Sequence, residues 1–163
     1  MIVAVPTAHD RLHPTTVPSI TAQGYAAHVY TCPDPPHPAS YPGVLRAFFR
    51  SGDSFCIVEH DIESLPGALA ALTRCPEPWC WNAYDLGVAF DDTGASPHFA
   101  MLGHTRFGPA VGRMLGPLLD TVRWWRHWDG LDLLIHWRLR RRLVPHRHYP
   151  DVIHHHEYPR RDA

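Results

Sequence analysis

Three short apolar runs, residues 1–5, 26–31 and 55–58, are separated by stretches that carry helix signals, and this alternation constrains the fold more than any other feature of the chain. Runs this short and rich in branched side chains have the length of buried strands. Strands that alternate with helices predict a parallel sheet, because each parallel pairing needs a crossover that a helix supplies. In such sheets ligands gather at the carboxyl ends of the strands. The loops that follow the first and third runs are therefore where chemistry is expected.

The first run closes at Pro6, and a helix over residues 15–23 should end at Gly24. The prolines of residues 32–43 make that stretch a loop, since they fit neither a central strand nor a helix interior. Residues 45–50 read as the end of a helix, Gly52-Asp53 as a turn and residues 66–73 as a further helix. The aromatic and glycine-rich stretch 79–107 reads as strands and loops of mixed direction, and 108–119 as helix. From 129 to 143 the residues Leu131, Leu134, Ile135 and Leu139 recur at helical spacing, with arginines at the end where cations favour the helix dipole. Residues 148–156 read as a final strand and 158–163 as a frayed tail, so residues 1–157 form one domain.

Composition narrows the function classes. A chain of 163 residues with 45% hydrophobic and 19% charged residues can bury a real core, which excludes a disordered or coiled-coil protein. Its formal net charge of −1 gives no global field toward nucleic acid or an anionic membrane. No apolar run approaches the roughly 20 residues of a membrane span, and no charged segment leads into an apolar one at the amino terminus; a soluble, cytoplasmic protein is expected. Cys32, Cys56, Cys75 and Cys80 show no C-x-x-C pairing and read as buried free thiols, although Cys75 and Cys80 could join a histidine at zinc.

Several groupings could carry chemistry. Glu59-His60-Asp61 follows a buried strand, and two carboxylates two residues apart at a strand end can converge on a hard cation such as Mg²⁺ or Mn²⁺. The plain reading is an acidic solvated turn. Asp129, Asp132 and His136 share a helix face, where a carboxylate can act as general base; as acids near a helix start they would also complement its dipole. In the run His154-His155-His156, alternation puts His154 and His156 on one side of a strand and His155 on the other. Arg138 to Arg142 could meet phosphates or form a solvated helix face, and the tryptophans could stack on sugars or bases or fill the core.

The order of these pieces resembles family 2 glycosyltransferases. Val5-Pro6-Thr7, then Asp10-Arg11-Leu12, Ser19 and Gln23, resembles the opening of that family; Gly52-Asp53 with residues 55–61 resembles the strand leading into its D-x-D metal motif, here Glu59-His60-Asp61. Asp129-Gly130-Leu131-Asp132-Leu133, with Arg138 following, is similar to the Glu-Asp-x-Asp-Leu helix that supplies the catalytic base, and residues 152–156 to the segment of the late histidine. Residues 103–107 resemble short glycosyltransferase-like proteins encoded by viruses of high-GC bacteria. Glu59 replaces the usual first Asp, and Gly130 stands where the family has an acid, which leaves the base open between Asp129 and Asp132.

The resemblance implies a single-domain α/β fold, GT-A-like, with a mixed, mainly parallel sheet flanked by helices. It also implies metal-dependent inverting transfer of a sugar from a nucleotide-diphosphate donor to a hydroxyl acceptor on a glycan, small molecule or modified nucleic acid. Pro6, Thr7, Asp10, Arg11 and Asp34 would bind the donor; Asp61, Glu59 and His154 or His156 would hold Mn²⁺ or Mg²⁺; Asp129 or Asp132 would be the base, with His136 and Arg138 in support. Two other classes use the same residues: a metal-dependent phosphoesterase or nucleotidyl enzyme, and a non-catalytic carbohydrate- or nucleic-acid-binding module.

Overall fold

In the computed structural model the chain is described over residues 1–8, 11–33, 37–84, 103–119, 135, 138–139 and 142–155. The elements run β1 (Ile2–Thr7), α1 (Thr16–Thr21), β2 (Ala27–Thr31), α2 (Tyr41–Ser51), β3 (Phe55–Val58), β4 (Ile62–Glu63), α3 (Ala68–Arg74), β5 (Trp79–Asn82), β6 (His104–Phe107), α4 (Pro109–Leu119), β7 (His146–His148) and β8 (Ile153–His154). Six strands form one sheet in the order β2-β1-β3-β6-β5-β7, and β4 pairs with β8 in a second, two-stranded sheet. Pairings β1–β2, β1–β3 and β5–β7 are parallel and those of β6 with β3 and β5 antiparallel, so β6 alone runs against the others. The expected mixed α/β architecture, mostly parallel and flanked by helices, is what the chain adopts.

Strand alternation divides the interior into two layers. Ala4, Phe55, Ile57, Trp79, Trp81 and Phe107 pack on one face with Leu45 and Phe49 of α2 and Val111 and Leu115 of α4. Ile135 and Leu139, of the helical stretch expected over 129–143, reach the same layer. On the other face Val3, Val5, Cys56, Val58 and Cys80 meet Ile20 of α1 and Ala68, Leu69 and Leu72 of α3. Trp79 and Trp81 are thus core side chains, not a ligand platform.

Three boundaries differ from the sequence reading for physical reasons. β1 continues through Pro6, which pairs with Tyr30, because the pairing with β3 stops at Ala4 and the proline lies where β1 has one neighbour. α2 begins at Tyr41, inside the stretch expected to be loop, because Pro42 sits in the first helical turn, where its missing N–H costs nothing. The single strand expected over 148–156 is two short strands, β7 and β8, in different sheets, divided at Tyr149-Pro150. Of the four cysteines read as free, Cys32 and Cys56 are free and buried, whereas the Cys75 and Cys80 sulfurs meet, close enough for a disulfide.

Candidate functional site

The connection from β1 leads to β2 on one side, and the connection from β2 leads across to β3 on the other. The order reverses between the loops after β1 and β3, and the carboxyl edge at such a switch point is where open α/β sheets form a ligand crevice. Pro6 and Thr7 end β1 on one side of it, and Glu59, His60 and Asp61 follow β3 on the other. The two loops are fastened together: the His60 carbonyl accepts hydrogen bonds from the His13 amide at 2.8 Å and the Thr16 hydroxyl at 2.9 Å.

The β4–β8 ladder brings the late histidines to this crevice. Ile62 faces His154 in register, and the His155 amide donates to the Asp61 carbonyl at 2.9 Å. His154 Nε2 donates to Asp61 Oδ2 at 3.0 Å, while Asp61 Oδ1 is buried and has no hydrogen-bond partner among the other described residues. His60 Nε2 lies 3.9 Å from Asp61 Oδ2. Burial pushes the Asp61 carboxyl up, but the hydrogen bond from His154 and the charges of His60 and His154 outweigh it and hold the group below the usual carboxylate range. Burial lowers the His60 imidazole; Asp61 opposes this, and the charges of Arg11 and His154 add to it, leaving the ring below the usual imidazole range. Asp61 is therefore a fixed anion at neutral pH, held beside a largely neutral imidazole.

His155 points the other way, as strand alternation requires. Its Nε2 meets Glu63 Oε2 at 3.0 Å and Thr15 Oγ1 at 3.2 Å, and its ring stacks on His13 at 3.8 Å between centroids. Thr15 Oγ1 in turn lies 2.9 Å from His13 Nδ1. Glu59 is engaged elsewhere, with Tyr41 donating to its Oε1 at 3.0 Å. Beside it, the Gly103 carbonyl accepts the Glu59 amide at 2.8 Å and Tyr84 Oη accepts the Gly103 amide at 3.1 Å. A Cβ at Gly103 would come 3.0 Å from Glu59 Oε2 and would collide with Tyr84 Oη, so a side chain there would have to displace the Tyr84 hydroxyl that holds the Gly103 amide.

Behind the crevice runs a buried neutral relay. The Asn82 amide donates to the Pro150 carbonyl at 2.8 Å, which turns its Oδ1 toward His104 Nδ1 at 3.0 Å. His104 Nδ1 is then the donor, and its Nε2 accepts from the Ser64 hydroxyl at 2.9 Å. Gln23 donates to Ser64 Oγ at 3.0 Å and to its carbonyl at 2.9 Å. Burial drives His104 down to about 3, so it stays uncharged. Sequence reading gave no role to Ser64, Asn82, Thr15, Tyr41, Tyr84 or Glu63 and took His104 only as part of the 103–107 resemblance; alternation along 153–155 does separate His154 from His155, but their partners are 92 or more residues away in sequence.

Of the residues expected to act, the structure joins Asp61 with His154, places Pro6 and Thr7 at the end of β1, brings Arg11 near enough to His60 to act on its charge, and turns Glu59 to Tyr41. Arg138 is exposed on a helical stretch. Asp10, Asp34, Asp129, Asp132, His136 and His156 lie outside the described residues. Among the described residues no helix is long and apolar enough to cross a membrane. No family model matches the chain, and no curated protein matches it.

Proposed function

We propose that the chain is a divalent-cation-dependent glycosyltransferase of GT-A-like fold, moving a sugar from a nucleotide-diphosphate donor to a hydroxyl acceptor with inversion. The observation that carries this reading is Asp61, an ionised carboxylate at the topological switch point with one oxygen held by His154 and the other buried with no hydrogen-bond partner among the other described residues. A buried carboxylate oxygen of this kind suits a hard cation. Mg²⁺ and Mn²⁺ sites commonly use one or two carboxylates and complete their shell with water and substrate phosphate, so a single fixed Asp with Glu59 turned aside is a sufficient protein contribution. Bound there, the cation would neutralise charge that grows on the departing diphosphate.

The chain's own groups do the rest. His154 orients Asp61 by occupying Oδ2, and the tie of His13 and Thr16 to the His60 carbonyl fixes the two crevice walls against each other. Arg11, near enough to depress His60, supplies a guanidinium suited to phosphate oxygens. Pro6, Thr7, Asp10 and Asp34 are the donor-binding residues in this reading, and Asp129 or Asp132 takes the proton of the acceptor hydroxyl, a contribution of about 10²–10⁴ in rate.

Calorimetry with a panel of nucleoside diphosphates and nucleotide sugars, with and without Mn²⁺, tests the proposal. Wild-type protein should bind a donor only with the metal, and Asp61→Ala should abolish that binding while keeping the fold by circular dichroism. Metal-independent binding, or unchanged binding in the variant, would overturn the assignment of Asp61. Nucleotide hydrolysis without acceptor and with two metals per chain would instead identify a phosphoesterase.

A further inference from the structure

A second group of potential ligands stands away from the crevice, on the α3 side of the sheet. In the β5–β7 pairing Cys80 faces His146 and Asn82 faces His148, so these four side chains project from the same face of the sheet. Cys80 packs in the layer beneath α3, and Cys75, immediately after α3, joins it there. Cys75 Sγ, Cys80 Sγ and a His148 ring nitrogen lie within 4.8 Å of one another, the one such three-residue group among the described residues. His146 Nδ1 approaches Cys75 Sγ at 3.4 Å, and the His146 and His148 rings are 4.5 Å apart. His148 Nε2 is buried and has no hydrogen-bond partner among the described residues.

From this geometry we infer that Cys75, Cys80, His146 and His148 form a structural Zn²⁺ site that pins the end of α3 to strands β5 and β7. A disulfide between Cys75 and Cys80 would account for the sulfurs alone. It would leave unexplained why two histidines, 66 or more positions further along the chain, converge on the same sulfurs, and why a buried ring nitrogen there has no partner. A soft, four-coordinate cation accounts for all four, since two thiolates and two imidazoles are a usual zinc set and four protein ligands leave no position for substrate. Arg106 Nη1, 3.8 Å from Cys80 Sγ and bonded to the carbonyls of Cys75 and Glu77 at 3.1 and 2.8 Å, eases formation of the thiolate. Binding releases one proton from each thiol and requires no oxidant.

The site is independent of Asp61, and its test can be kept so. Wild-type chain produced with zinc and purified under reducing conditions should carry about one zinc per chain by elemental analysis. Cys75→Ser, Cys80→Ser and His148→Ala should each lose it, while Asp61→Ala should keep it. Cobalt substitution should give thiolate-to-metal charge-transfer absorption, and His146→Ala should weaken zinc affinity. If the cysteine variants do not fold, titration of wild type with a mercurial should release zinc in step with thiol modification. Absence of zinc with only Cys32 and Cys56 titrating as thiols would overturn the proposal in favour of a disulfide. Retention of zinc in His148→Ala, or release that is independent of thiol modification, would overturn it as well, and unchanged affinity in His146→Ala would remove the fourth ligand.

Discussion

His154 and His155 are adjacent in sequence, yet the strand sends one to the Asp61 carboxylate and the other to Glu63, Thr15 and the ring of His13. Their replacement should separate binding from stability. His154→Ala removes the donor that orients Asp61 and should weaken Mn²⁺-nucleotide affinity by about 10–100-fold, as loss of partners around a metal ligand does. His155→Ala should leave that affinity within a few fold and cost about 1–2 kcal/mol of stability through a lost hydrogen bond and ring stack. Calorimetry and urea unfolding on the pair check both, and the reverse pattern would mean that His155 serves the site. His104 makes a different prediction. Its folded value is lowered to about 3 from 6.5, so above 6.5 the group contributes no pH dependence, and between those values the unfolded chain takes up a proton that the folded one refuses. Stability should therefore fall with decreasing pH by about 1.4 kcal/mol per unit from this group. In His104→Gln the acid limb of a stability–pH series should lose close to one proton of slope, whatever its effect on absolute stability. An unchanged slope would show that His104 is protonated in the native state.

At the level of elements, α2 and α4 cross where a Cβ on Gly112 would sit 2.5 Å from the Phe49 carbonyl oxygen. Alanine is favoured over glycine in a helix by about 1 kcal/mol, but here the obstacle is backbone that cannot rotate aside, and overpacking of this kind costs about 1–3 kcal/mol. Gly112→Ala should accordingly lower the unfolding midpoint, and a stabilised variant would mean that the two helices can separate freely. Neither the crossing nor the role of Gly112 can be read from a helical pattern, because it depends on which helix lies opposite. The elements themselves were more legible. The FCIV run is β3 residue for residue, and α2 is capped by Gly52 at positive φ, whereas α1 stops at Thr21, short of the expected end at Gly24. What the pattern hid was fixed by distant partners: Pro6 stays in β1 because β3 pairing has already stopped, and the last strand divides because one half pairs with β5 and the other with β4. Asp61 and His154 could be named as candidates from residue type and position, but their 3.0 Å contact exists only because β8 returns to β4.

Across the whole molecule the two sheets divide the labour. The six-stranded sheet supplies a floor packed on both faces, and the small β4–β8 sheet brings His154 against Asp61, which immediately precedes β4, beside the β1 and β3 loops. The segments around this site are joined by hydrogen bonds between residues far apart in sequence: His13 and Thr16 to His60, His155 to Asp61, and Thr15 to His155. These bonds lie in loops and at the ends of short elements, which can open locally without global unfolding. A ligand that binds both walls should therefore reduce opening at all of these segments together. Hydrogen exchange with Mn²⁺ and a bound nucleotide donor should show slowed exchange at residues 11–16, 59–63 and 153–155, with α2 and the start of α4 unchanged. Protection confined to one wall would indicate that the ligand does not bridge the switch point. Protection centred on α2 and α4 would move the binding site to the opposite face of the sheet and remove the structural basis for a role of Asp61 in donor binding.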